Sequence, residues 1–316
     1  MNDCTPLPRN ALAPNWDIGS IVAELRGLRD RSLDNRQRSS KPPRLPARKA
    51  LIDALEGLRA TLFPNRLGLA TLTDESVDYF VGHTLDTALR NLLEQVQLEL
   101  RYTSGLEDAL AINDSLHERS FGIVQDLAVR LPEIRRLLET DLAAAYDGDP
   151  AAHGIDEILI CYPGITAITY HRFAHELHRL GVPLIARMIA EISHSTTGID
   201  IHPGATIGES FFIDHGTGVV IGETTEIGNR VRLYQAVTLG AKRFTQDENG
   251  ALVKGIPRHP IIEDDVVIYA GATILGRITI GRGSSIGGNV WLTHSVPPGS
   301  RITQSRTIDE PTDFSI

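Results

Sequence analysis

Cysteine is scarce. Cys4 and Cys161 are the only two in 316 residues, and two thiols cannot build a disulfide framework. Aromatic residues make up 5% of the chain against 41% hydrophobic residues overall, so a sizeable interior has to be filled by aliphatic side chains. No apolar run approaches the ~18 residues that a membrane-spanning helix needs. The first residues also lack the charged-then-apolar order of a secretory signal. A net charge of −9 argues against nucleic acid as a partner of the chain as a whole. Together these absences lead us to expect a soluble, cytoplasmic protein with neither a membrane nor a nucleic-acid partner.

What is present is a rhythm. Ile201, Ile207 and Ile213 are six apart, as are Ile221, Ile227, Leu233 and Leu239, and then Ile262, Ile268, Ile274, Ile280, Ile286 and Leu292. Glycine often follows, as at Gly208, Gly222, Gly228, Gly240, Gly281 and Gly287. A short fixed period of this kind marks a parallel β-helix, in which each repeat buries its aliphatic side chain against the repeat stacked on it. One polar, Gly- and Pro-rich stretch, 241–260, interrupts the period and must leave the stack as a loop.

Ahead of the repeats the period is helical. Leu51, Leu55, Leu58 and Leu62 share one face, and Pro64 and Gly68 break it. Thr73 or Asp74 can cap a long helix carrying Leu85, Leu89, Leu92 and Val96. Pro132 with Glu133 suits the first turn of another helix; Pro163 opens the next, Gly181 ends it, and Pro183 starts the last. Residues 1–47 read as a partly disordered leader, basic around Arg36, Arg38, Lys41 and Arg44, with one amphipathic piece near Ile18 to Leu28. The expected division is leader 1–47, helical domain 48–195, hexapeptide β-helix 196–300 and tail 301–316, an α+β architecture.

Two clusters invite chemistry. Asp214 and His215 follow an aliphatic position, with Gly216 and Gly218 behind them and Asp200 about one coil earlier. A carboxylate beside an imidazole orients the ring and favours its protonated form, which suits a general base. The alternative is a pair of polar corner residues. Arg258 and His259 stand where the loop rejoins the stack and offer a fork for a carboxylate; solvated loop charges are the alternative there.

Several strings in order carry a family resemblance: Asp149-Pro150-Ala151, Asp200-Ile201-His202-Pro203, Asp214-His215-Gly216-Thr217-Gly218, Gly222-Glu223-Thr224, Val237-Thr238-Leu239-Gly240, Arg258-His259-Pro260 and Gly271-Ala272 through Ile274-Leu275-Gly276. Over roughly 149–300 the chain resembles the serine O-acetyltransferases, hexapeptide-repeat acyltransferases of the left-handed parallel β-helix type. The resemblance implies acetyl transfer from acetyl-CoA, as co-substrate, to the hydroxyl of L-serine, giving O-acetylserine for cysteine biosynthesis without an acyl-enzyme. It implies His215 as general base, Asp200 as its orienting carboxylate and His259 as a further catalytic group. Asp149 and Asp214 would hold the serine ammonium, and Arg258 and His259 its carboxylate. Gly240, Ala241, Ala270 and Gly271 would line the coenzyme groove, with Lys242, Arg243 and Lys254 near its phosphates. A homotrimer or dimer of trimers is implied, with clefts between neighbouring β-helices, and Ile316 is similar to the tail that enters O-acetylserine sulfhydrylase. The loop 242–257 is longer than in the short bacterial enzymes and Ala241 replaces a usual Gly; this is the pattern of a long-form branch.

Other readings remain. The same chemistry on homoserine or another hydroxyl would fit the motifs, as would a protein that chiefly regulates the sulfhydrylase. A metal-dependent hydratase would need three convergent histidines such as His202, His215 and His259, and we expect no metal. His171, His175 and His178 recur on one helical face and read as an exposed polar face; Cys161 reads as a small buried residue.

Overall fold

The structure is a computed structural model, described over residues 16–35, 44–104, 114–242, 248, 250, 253 and 255–304. Cys4, Arg36, Arg38, Lys41, Arg243, Lys254 and Ile316 lie outside the described residues. Among the described residues eight helices come first: α1 (Ile18–Asn35), α2 (Arg48–Leu62), α3 (Pro64–Leu67), α4 (Val77–Ser104), α5 (Asp114–Gly148), α6 (Ile155–Cys161), α7 (Pro163–Arg179) and α8 (Pro183–Thr197). None is long and apolar enough to cross a membrane. Leu51, Leu55, Leu58 and Leu62 are buried on α2, as their spacing predicts, against Leu92 and Val96 of α4.

Proline acts as expected at two helix starts and not at a third. Pro163 and Pro183 occupy the first turns of α7 and α8, where a missing N–H costs nothing. Buried Glu99 of α4 supplies the acceptors for α8, taking the N–H groups of Leu184 and Ile185 at 2.8 and 2.7 Å. Pro132, in contrast, sits inside α5, so the helix start read from the sequence is wrong. Leu127, Leu131, Ile134 and Leu138 are buried on both sides of it. Their packing offsets the single backbone bond that proline removes.

The strands are short and all parallel. The first sheet is β1 (Asp200–Ile201), β4 (Val220–Ile221), β7 (Thr238–Gly240), β10 (Thr273–Leu275) and β13 (Trp291–Leu292). The second is β2 (Thr206–Ile207), β5 (Glu226–Ile227), β8 (Ile261–Ile262) and β11 (Thr279–Ile280). The third is β3 (Phe212–Ile213), β6 (Arg232–Leu233), β9 (Val267–Ile268), β12 (Ser285–Ile286) and β14 (Arg301–Ile302). Register explains the period. Ile201, Ile221, Leu239, Ile274 and Leu292 stack in one column, Ile207, Ile227, Ile262 and Ile280 in a second, and Ile213, Leu233, Ile268, Ile286 and Ile302 in a third. This is the parallel β-helix that the repeats imply, left-handed as the family resemblance implies.

The helices are tied to the first coil through buried polar groups. Arg172 of α7 donates twice to Asp141 of α5 at 2.9 Å and once to the carbonyl of Gly208 at 3.0 Å. The Phe211 N–H donates to Asp141 and the Ser210 N–H to Thr140, each at 2.9 Å. His175 donates from Nδ1 to the Pro203 carbonyl at 2.9 Å. His171 is buried and bonded to the backbone of Ala205, and burial drives its pKa well down. The histidine face read as exposed is therefore packed on the β-helix, because α7 has a neighbour on that side too. Cys161, read as buried, is exposed at the end of α6.

Candidate active site

His215 lies between β3 and β4, on the edge where the third sheet meets the first. Eight residues separate Ile213 from Ile221 where six is the rule, so the chain swings outward there. The turn needs left-handed backbone at His215 (φ 59°), Gly216 (φ 89°) and Gly218 (φ 79°). The same left-handed backbone recurs at Ala236 (φ 59°) and Asn289 (φ 55°) on this edge, so it is the corner geometry of the stack. It leaves the imidazole 72% exposed, with Nε2 3.8 Å from Asp214 Oδ1, beyond hydrogen-bond length.

The helical domain brings more groups to this edge. Asp149 follows α5, and its Oδ2 accepts from the Tyr162 hydroxyl at 2.6 Å while Oδ1 accepts from the Ala151 N–H at 2.8 Å. The Tyr162 bond, the Ala151 N–H and the nearby charges of His215 and Arg232 hold the Asp149 carboxyl below its usual range. The same bond pushes the Tyr162 phenol up to about 12. Arg232 of β6 packs against Gly148 and over the ring of Phe212. Asp149, Asp214, His215, Tyr162 and Arg232 thus surround one small region, rich in acceptors and carrying a free imidazole.

His259 lies on a different edge, where the first sheet meets the second. Its ring is buried and lies flat over Gly222, where an added Cβ would stand 2.0 Å from Cδ2. The Thr224 N–H donates to Nδ1 at 3.1 Å, so in the neutral ring the proton is on Nε2. Burial first, and then the Arg258 cation, lower the His259 pKa and keep the ring neutral, a hydrogen-bond donor. Arg258 is bonded to Glu223 at 2.6 Å. Burial alone would raise Glu223, but Arg258 and His202 outweigh it and the net shift is downward. Arg277 closes the frame, donating to the carbonyls of Thr224 and His259 at 2.8 and 3.2 Å.

The sequence-derived residues thus fall into two groups. Asp149, Asp214 and His215 meet on the first edge; Arg258 and His259 meet on the second, and within one chain the first sheet separates the two. Asp200 makes no hydrogen bond or ion pair with His215. Its carboxylate instead shares a neighbourhood with Glu191 and His194, one ligand atom of each lying within 4.8 Å of the others. That trio is open to solvent, an arrangement common without an ion. His202 stands on the His259 edge, so His202, His215 and His259 do not converge in one chain as a hydratase would need. Ala270 and Gly271 turn the His215 edge two coils on, whereas Gly240 and Ala241 turn the His259 edge. Gly271 is favoured by its φ of 71°, and a Cβ there would displace the Asn289 side chain, whose Oδ1 would lie at 2.2 Å. Tyr162 and Arg232 were not singled out from the sequence, since neither belongs to the repeated strings; the one signal for Tyr162 is its place before Pro163.

Comparison with known proteins identifies relatives by sequence and by fold. The bacterial transferase hexapeptide (six repeats) family pattern matches residues 259–294. The plasmid serine acetyltransferase of Synechococcus elongatus is 58% identical over 301 residues, 94% of this chain and 94% of that protein. The serine acetyltransferase of Bacillus subtilis is 48% identical over 167 residues, 53% of this chain and 73% of that one. A crystal structure of Entamoeba histolytica serine acetyltransferase isoform 3 in complex with cysteine superposes with a TM-score of 0.68 at 36% identity, covering 87% of this chain and 86% of that one. The serine complex of the Neisseria gonorrhoeae enzyme gives a TM-score of 0.52 at 29% identity, over 80% and 95% of the two chains. With 58% identity over nearly the full length of one such enzyme, the chain belongs to the serine acetyltransferase family.

Proposed function

We propose that the chain transfers the acetyl group of acetyl-CoA to the hydroxyl of L-serine, yielding O-acetylserine and CoA for cysteine biosynthesis. The observation that carries this reading is the convergence of Asp149, Asp214 and a free His215 on one edge. Two carboxylates suit one ammonium, and the imidazole is placed for the neighbouring hydroxyl. His215 takes the hydroxyl proton as the oxygen attacks the thioester carbonyl; the tetrahedral intermediate collapses, the C–S bond breaks and the thiolate takes the proton back. General-base help of this kind contributes about 10²–10⁴ in rate. Asp200 pairs with Val220 of β4, and the role proposed for its carboxylate is to orient the His215 imidazole.

Arg258 and His259 offer a guanidinium fork and a neutral donor to the serine carboxylate. Because they occupy the other edge, the reading includes a homotrimer in which the His259 edge of one copy faces the His215 edge of the next. The first sheet between these edges leaves Val220 and Trp291 38% and 69% exposed, apolar surface that a neighbouring copy would cover. Acetyl-CoA then lies along the junction, past Gly240, Ala241 and Lys242 on one side and Ala270 and Gly271 on the other. The segment that carries Ile316 is the one proposed to engage O-acetylserine sulfhydrylase. The test is to supply acetyl-CoA with a panel of hydroxyl acceptors and follow free thiol. Serine is expected to be consumed fastest; a preference for homoserine or a sugar, or silence with serine, overturns the assignment.

A further inference from the structure

We propose that Tyr162 is a positioning residue of this site, whose hydroxyl sets the carboxylate of Asp149 in the orientation that receives the substrate ammonium. The inference rests on the functional reading above and adds a residue that the motif strings leave out.

Three observations carry it. The first is the contact itself: Tyr162 donates to Asp149 Oδ2 at 2.6 Å while the Ala151 N–H donates to Oδ1 at 2.8 Å. With one donor on each oxygen, the plane of the carboxylate is fixed and its remaining lone pairs point away from both.

The second is how firmly Tyr162 is held. It precedes Pro163, which confines it to extended backbone, observed at φ −82° and ψ 120°. Its N–H donates to the Ile158 carbonyl at 3.1 Å, and its own carbonyl accepts from Ile165 at 3.2 Å. Two residues on, Gly164 is pressed so closely on the Ile213 carbonyl that a Cβ would stand 2.3 Å from that oxygen. The start of α7 is therefore seated on the strand that runs into Asp214 and His215, and the phenol has a fixed relation to the base.

The third is charge. Asp149 is faced by His215 and Arg232, and Tyr162 by Glu157 of α6 and by Asp214. A lysine or arginine in place of the phenol would cancel the negative charge that attracts an ammonium. A phenol orients Asp149 and cancels nothing.

The experiment is steady-state kinetics of Tyr162→Phe and Tyr162→Leu with serine varied at saturating acetyl-CoA, across a range of pH. The Phe variant is expected to raise KM for serine about tenfold or more, the usual worth of a hydrogen bond to a charged group, while kcat falls far less. The rise of KM for serine at low pH should begin at higher pH: the tyrosine bond holds the Asp149 pKa down, so without it the carboxylate takes up a proton sooner as pH falls. A Phe variant with the wild-type KM and pH profile, and only the Leu variant impaired, would mean packing alone and overturn the proposal. If the Phe variant folds poorly, a cycle with Asp149→Asn settles it: adding Tyr162→Phe to that background should cost nothing further, and full additivity sinks the idea. Wild-type protein inert toward serine would defeat the functional reading and this inference together, an outcome distinct from either of the others.

Discussion

The two edges of the β-helix that flank its first sheet use histidine in opposite ways. On one edge His215 stands exposed on a corner of the stack, with its nearest carboxylate at 3.8 Å. On the other His259 is buried, its Nδ1 bonded to Thr224 and its ring laid on a glycine. A base must be free to gain and lose a proton; a recognition donor must keep one protonation state and one direction. The contrast teaches that burial and bonding, more than residue type, separate a reacting group from a recognising one.

The sharpest way to break this comparison is to remove the free ring. His215→Ala is expected to lower kcat by about 10²–10⁴ with assembly retained; near-normal turnover would end the assignment of the base. Arg258→Ala should act mainly on KM for serine. If the two edges come from different copies, mixing His215→Ala chains with Arg258→Ala chains regenerates an intact junction about one time in four in a randomly assembled ring. Activity that stays at the level of the parents would place the whole site within one chain.

Next in size is Gly222→Ala. Its Cβ would stand 2.0 Å from His259 Cδ2, so the ring or the corner has to shift. Overpacking of this kind costs roughly 1–3 kcal/mol, and KM for serine should rise with it. Urea unfolding alongside kinetics separates the two effects, and a silent variant would show that the ring is not held as described.

The smallest effect concerns acid. His202, on the His259 edge, has its pKa lowered to about 4, by burial first and then by Arg187. The unfolded chain takes up that proton near 6.5. The folded state therefore loses stability as pH falls from about 6.5 towards 4, and buried His171 and His175 act with the same sign. Asn at 202 could still accept the Gly204 N–H that Nδ1 now accepts at 3.0 Å. Thermal midpoints of His202→Asn should thus vary less with pH across this window than those of wild type. Parallel slopes would exclude His202 as a source of the acid sensitivity.

Much of the fold is legible because the cause of the pattern is local. Each coil buries one aliphatic residue per side, so Ile201, Ile221 and Leu239 announce a column before any coordinates exist. The motif strings likewise mark His215 and His259. What the chain does not announce depends on contacts across it. Pro132 looks like a helix start, yet packing on both sides carries α5 through it. The row His171, His175 and His178 looks polar and exposed, and the spacing cannot say that a β-helix lies beneath it. Asp200 is one coil from His215 in sequence, but an outward-facing strand residue beside a turn with two extra residues need not meet that ring. Tyr162 is silent for the same reason: its partner, Asp149, is placed by a different helix.

The polar ties between α5, α7 and the first coil have a consequence for solubility. A β-helix ends in a rung whose N–H and C=O groups have no strand to pair with, a ready template for another chain. Here Arg172, His175, Asp141 and Thr140 occupy the free groups of Gly208, Pro203, Phe211 and Ser210. The helical layer thereby closes the growth front of the solenoid, as terminal repeats do in other stacked proteins. A β-helix severed from its helices would present that rung to its own kind and be prone to stack into fibres.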